Sequence, residues 1–126
     1  LPGASAYFKC GVVAYSLDTK QEILQISCDT IASYGAVSEQ VVRQMAEGVR
    51  RASNSHYAVA TTGIAGPTGG TPEYPVGSVW IAVSSPDHTL TRLVHIKGNR
   101  NRVIRKAGSA AIELLEEELT AGNRTK

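Results

Sequence analysis

Ser78-Val79-Trp80-Ile81-Ala82-Val83-Ser84, then Ser85-Pro86-Asp87-His88-Thr89, then Leu90-Thr91-Arg92-Leu93-Val94-His95-Ile96, is the stretch on which the reading of the fold turns. Both flanking runs are rich in β-branched and apolar residues and read as strands, and the short Pro- and Asp-containing link favours an antiparallel hairpin. Upstream, Tyr57-Ala58-Val59-Ala60-Thr61 is short and continuously apolar, the pattern of an inner strand covered on both faces. Tyr7 to Tyr15 reads as a first, largely buried strand. With a parallel strand expected beside the hairpin, the sheet should be mixed.

Helices fill the spaces between these strands. Ser38-Glu39-Gln40 offers an N-cap and a first-turn acid ahead of Val41, Val42, Met45, Ala46 and Val49 at helical spacing. A last helix, from about Asn99 to Leu119, puts Val103, Ile104, Ala107, Ala111, Leu114, Leu115 and Leu119 on one stripe, with Glu113, Glu116, Glu117 and Glu118 toward solvent. Ser16-Leu17-Asp18-Thr19 can cap a short helical segment over Lys20 to Leu24, and Ala121 to Lys126 should form a flexible tail. The order strand, helix, helix, strand, hairpin, helix specifies an α/β domain with helices packed on a mixed sheet.

The 126 residues suit one domain rather than two. With 13 basic against 11 acidic residues, the net charge of +2 implies neither a nucleic-acid nor a membrane partner. Charge clusters once, where Lys97, Arg100, Arg102, Arg105 and Lys106 place five basic residues within ten positions. That is a solvated helix start or, because cations are disfavoured at a helix N-terminus, a sign of an anion nearby. Cys10 and Cys28 lack metal-type spacing and read as reduced thiols. No run is long enough to span a bilayer and no leader pattern is present, so a cytoplasmic location is expected. His56, His88 and His95 are scattered and read as structural or exposed.

Chemistry concentrates in Thr61-Thr62-Gly63-Ile64-Ala65-Gly66-Pro67-Thr68-Gly69-Gly70-Thr71-Pro72. Glycines after a strand can turn backbone N–H groups toward an anion, making a candidate phosphate cradle. It is no Walker loop, and Pro67, Pro72 and Pro75 oppose a dinucleotide fingerprint. The other reading is a long hairpin-type connection. Thr61 and Thr62 stand where a strand end can present hydroxyls to a ligand, and Tyr15 and Lys20 can approach one end of the sheet.

Four stretches together resemble the CinA C-terminal domain family: Pro2 to Phe8 with Gly11 to Ser16, Tyr34 to Glu39, Thr62 to Pro72 with Pro75-Val76-Gly77, and Gly98 to Arg102. The resemblance implies a three-layer α/β/α sandwich with a mixed sheet that lacks its N-terminal strand and helix, in a single amidohydrolase domain over 1–120. It implies hydrolysis of the carboxamide of nicotinamide mononucleotide by a serine nucleophile and a lysine base, with no cofactor or metal. On the matched positions Lys20 becomes the base, Tyr15 its neighbour and Thr62 the active-site threonine. Gly66, Gly69, Gly70 and Thr71 line the nucleotide pocket, Arg102 lies near the substrate, and a homodimer is possible. The family's nucleophile sits in a Glu-Ser-Cys-Thr-Gly-Gly motif ahead of the stretch with which this sequence begins, and neither Ser5 nor Ser16 has those flanks. Two expectations follow: an amidase completed by an upstream segment, or a non-catalytic pyridine-nucleotide-binding or partner-binding module of the same fold.

Overall fold

Strand β2, Ser78–Ser84, is buried along almost its whole length, and the architecture follows from that. Its residues alternate between two apolar layers, as the period of a strand requires. Val79, Ile81 and Val83 face a helix carrying Val103, Ala107, Ala111 and Leu114. Ala82, with Trp80, faces the opposite layer of Val42 and Ala46. The computed structural model describes residues 24–124, with side chains through Ala121. Along these residues the elements are α1 (Cys28–Tyr34), α2 (Glu39–Ser53), β1 (Ala58–Gly63), β2, β3 (Thr89–His95) and α3 (Arg100–Arg124). Helices therefore cover both faces of the sheet, giving the expected α/β/α layering.

The described strands lie in the order β1-β2-β3 and pair antiparallel throughout. The stretch Tyr7 to Tyr15, read in the sequence as a further strand, lies outside the described residues, as does the expected helical segment from Lys20 onward except Leu24. The strand covered on both faces is β2 rather than β1: in β1 Ala58 and Ala60 are buried while Thr61 and Gly63 are exposed. The β2–β3 connection is the expected hairpin. Ser85 closes it, its N–H and hydroxyl both donating to the His88 carbonyl at 2.8 and 2.9 Å while its Oγ accepts from the Asp87 and His88 amides. His88 in turn meets the buried Glu118 carboxylate of α3 at 2.6 Å.

Helix α2 begins where its cap predicts. Ser38 has an extended backbone and its Oγ accepts from the Val41 amide at 3.2 Å, while Asn54 ends the helix in a left-handed conformation. The small side chains of Ala46, Ala60 and Ala82 let α2 lie close to the sheet. Gly48, on the neighbouring face of α2, has no side chain because the Leu24 backbone lies directly over it, and Leu24 and Ile26 pack with Val41 into a second layer of core. Gly48→Ala gains helix propensity of about 1 kcal/mol but drives a methyl into a main chain that cannot step aside. A net loss of roughly 1–2 kcal/mol in urea unfolding is expected, and an unchanged or raised midpoint would show that the Leu24 segment yields.

Two boundaries differ from those read in the sequence. The helix α1 was not anticipated: it is a single capped turn and more, started by Ser27 Oγ accepting from the Thr30 amide, and it buries no residue. Helix α3 continues past Leu119 to Arg124 because no proline interrupts it.

Candidate functional site

The Gly-rich stretch is the connection between β1 and β2, so its ends are fixed by a hairpin while its middle projects. At the base, the Ile64 amide donates to Ser78 O at 3.0 Å and the Gly77 amide to Ile64 O at 2.8 Å. Within the loop, Thr71 and Tyr74 close a tight turn: the Thr71 amide donates to Tyr74 O, and the Tyr74 amide donates to Thr71 Oγ1, both at 2.9 Å. Gly66 is buried, whereas Gly69, Gly70 and Thr71 are exposed. The topology of the stretch is that of a hairpin connection, and Gly69 and Gly70 stand at its surface.

A tether orients this loop. Arg100, in the first turn of α3, donates from Nη1 to Gly66 O at 3.0 Å across 34 residues of sequence. The glycines and the basic helix start, separate in the sequence, are therefore neighbours in space. Arg102 is placed differently. Its Nε donates to Lys97 O at 2.7 Å and its amide to Asn99 Oδ1 at 3.0 Å, which makes Asn99 the cap of α3. A guanidinium has five N–H donors, and among the described residues only the Nε of Arg102 donates a hydrogen bond. The first turn of α3 contains no acid.

Thr62 lies at the C-terminal end of β1 and pairs in register with Trp80. Its hydroxyl donates to Ala36 O at 2.9 Å, joining the strand end to the α1–α2 junction. Tyr34, Ser38, Glu39, Glu73, Tyr74 and Trp80 line a cleft of about 240 Å³ beside that junction. The Trp80 indole N–H is buried without a hydrogen-bond partner among the described residues. Thr62 and the glycines were singled out in the sequence; Arg100, Trp80 and the Ala36 carbonyl, which the structure brings beside them, were not. Arg100 had a signal, its membership of the basic cluster, but nothing local distinguishes it from Arg102. Lys20 and Tyr15 lie outside the described residues.

Comparison with known proteins places the fold in a family. The family model described as the CinA C-terminal domain matches residues 1–119. A CinA-like protein of Anaeromyxobacter dehalogenans (strain 2CP-1 / ATCC BAA-258) is 49% identical over 115 residues, covering 91% of this chain and 28% of that protein. A CinA-like protein of Thermotoga neapolitana is 42% identical over 125 residues, or 99% of this chain and 30% of its own length. The chain thus spans less than a third of those relatives. Among solved structures, the competence/damage inducible protein CihA from Agrobacterium tumefaciens superposes with a TM-score of 0.88 at 35% identity, covering 93% of this chain and 72% of that one. A CinA superfamily protein from Klebsiella pneumoniae 700603 gives a TM-score of 0.91 at 31% identity, with 96% and 76% covered. With the glycine loop, the strand-end threonine and the basic helix start all inside the matched span, the chain belongs to the CinA C-terminal domain family.

Proposed function

We propose that this domain is the amide-hydrolysing unit of a nicotinamide-nucleotide amidohydrolase, converting the carboxamide of nicotinamide mononucleotide to the acid and ammonia. The attacking serine is supplied by a Glu-Ser-Cys-Thr-Gly-Gly segment ahead of Leu1, and Lys20 removes its proton with Tyr15 beside it. The observation that carries this reading is the state of Thr62. Its hydroxyl hydrogen is engaged by Ala36 O, so toward a ligand the oxygen can only accept. A primary carboxamide offers it the two N–H donors that a carboxylate product lacks, so Thr62 favours amide over acid. On the other side of the substrate, the exposed backbone of Gly69, Gly70 and Thr71 and the Nη groups of Arg102 suit a nucleotide phosphate. Gly66 supports them through its tie to Arg100.

The test is ammonia release from nicotinamide mononucleotide by a chain that carries the serine segment ahead of Leu1. Thr62→Val keeps the shape of the side chain but removes the acceptor, and should lower kcat/KM by roughly 10- to 100-fold, the worth of one well-placed hydrogen bond. The lost tie to Ala36 O should also cost about 1 kcal/mol of stability. Full activity in Thr62→Val overturns the role given to Thr62. Calorimetric binding of the nucleotide with no ammonia released makes the domain a binding module and overturns the amidase reading.

A further inference from the structure

Three aromatic side chains and two carboxylates, drawn from separate parts of the chain, meet in the cleft beside the α1–α2 junction. Tyr34 comes from the end of α1, Glu39 from the first turn of α2, Glu73 and Tyr74 from the Gly-rich connection, and Trp80 from β2. None of the described residues that line it is basic. Its volume of about 240 Å³ is below the roughly 300 Å³ at which pockets begin to hold drug-sized molecules. It has room for one substituted ring rather than a whole nucleotide.

The place of the cleft fits such a ring. Trp80 and Thr62 are cross-strand partners, so their side chains leave the sheet on the same face. The Thr62 hydroxyl is tied to Ala36 O, which lies between Tyr34 and Glu39 in the chain. A ring in the cleft therefore has the Thr62 oxygen at its border. On the loop side, the Thr71–Tyr74 turn, closed by hydrogen bonds of 2.9 Å in both directions, fixes Tyr74 relative to the glycine run. Ring and phosphate are then held from two sides of one turn.

The charges specify which ring. Glu39 is engaged by Arg43 at 3.3 Å and by the Thr91 hydroxyl at 3.1 Å. Glu73 is exposed and makes no ion pair among the described residues. Aromatic faces carry the negative part of a quadrupole, and with a carboxylate beside them they attract a cation. A pyridine nitrogen that bears a ribose is quaternary and positively charged, whereas free nicotinamide is neutral. We infer, resting on the nicotinamide-nucleotide reading of the site, that this cleft seats the pyridinium ring and reads its positive charge. The site then takes N-substituted pyridinium carboxamides and discriminates against neutral pyridine carboxamides, with Glu73, Tyr74, Tyr34 and Trp80 as the residues that select.

Fluorescence of Trp80, the single tryptophan of the 126 residues, tests this in a chain that carries the serine segment ahead of Leu1. An electron-poor pyridinium lying against an indole quenches its emission. Nicotinamide methylated on its ring nitrogen has the cationic ring and the carboxamide without ribose or phosphate, and it should quench saturably. Neutral nicotinamide should bind about tenfold more weakly or worse, and Trp80→Phe should remove the signal. Glu73→Gln and Tyr74→Leu should each weaken binding of the cation by roughly three- to fivefold, and Glu73→Gln should leave binding of neutral nicotinamide unaffected. Glu73 is exposed, so the thermal melt of Glu73→Gln should match the parent. Quenching that never saturates, equal binding of the neutral and cationic amides, or parental binding of the cation by Glu73→Gln overturns the inference; ammonia release from nicotinamide mononucleotide by the same chain would leave the amidase reading standing. Saturable, Glu73-dependent quenching by the cation with no ammonia released from the nucleotide has the opposite meaning: the cleft reads the ring, and the hydrolytic reading fails.

Discussion

Gly77→Ala should lower the melting temperature of this domain by roughly 10–20 °C. Gly77 sits where three strand ends converge: its amide donates to Ile64 O after β1, it leads directly into β2, and its carbonyl accepts from the Ile96 amide after β3 at 2.8 Å. Its φ of 96° is a conformation that costs an L-residue about 1–2 kcal/mol. A methyl on its Cα would also run into the Ile96 carbonyl oxygen. That oxygen is main chain, with no rotamer to change, so relief would require moving β3 away from β2 or Gly77 away from Ile64. Either shift loosens a hydrogen bond at the base of the Gly-rich loop. Strain and overpacking together come to about 3 kcal/mol or more, a large part of the stability of a domain this size. Circular-dichroism melts and urea titrations read the effect directly. A midpoint within about 2 °C of the parent would show that the sheet corner is soft.

The same corner shows what the sequence discloses and what it conceals. The hairpin from Ser78 to Ile96 was legible because β-branched and apolar runs and the Ser-Pro-Asp link between them all point the same way, and Ser38 announced α2 through a cap that the structure reproduces. Helix α1 was not legible. It has Ser27 as a cap but only Ile31 toward the core and no buried residue, so the periodicity that reveals longer helices is missing. The relative burial of β1 and β2 was misjudged because both are apolar runs, and which becomes central depends on pairing partners rather than on either run alone. In the site, Thr62 and the glycines stood out by type and position. The Arg100–Gly66 tether spans 34 residues, and no local pattern selects Arg100 over Arg102 as the side chain that reaches back. Trp80 was readable as a strand residue but not as one whose indole N–H is buried, since that depends on how α2 packs on the sheet.

On the amidase reading, Lys20→Ala should remove the chemistry while sparing the binding. An ordinary lysine, with a pKa of about 10.4, is protonated at neutral pH and cannot accept a proton, so a catalytic Lys20 has to be held partly neutral by burial or by neighbouring charge. Replacing it leaves the upstream serine without a base, and kcat should fall by about 10²- to 10⁴-fold. Most of the groups proposed to hold the nucleotide, namely the loop backbone at Gly69, Gly70 and Thr71 and the Nη groups of Arg102, belong to the hairpin connection and to α3, so calorimetric affinity should change little. Thr62→Val should behave in the opposite sense if Thr62 recognises the bound amide, with a larger share of its loss in KM. The pH profile separates the two further: the parent should lose activity as acidification protonates the lysine, and residual turnover in Lys20→Ala should lack that limb. Ammonia release at the parental rate from Lys20→Ala, in a chain carrying the serine segment, would remove Lys20 from the mechanism and the Ser–Lys assignment with it.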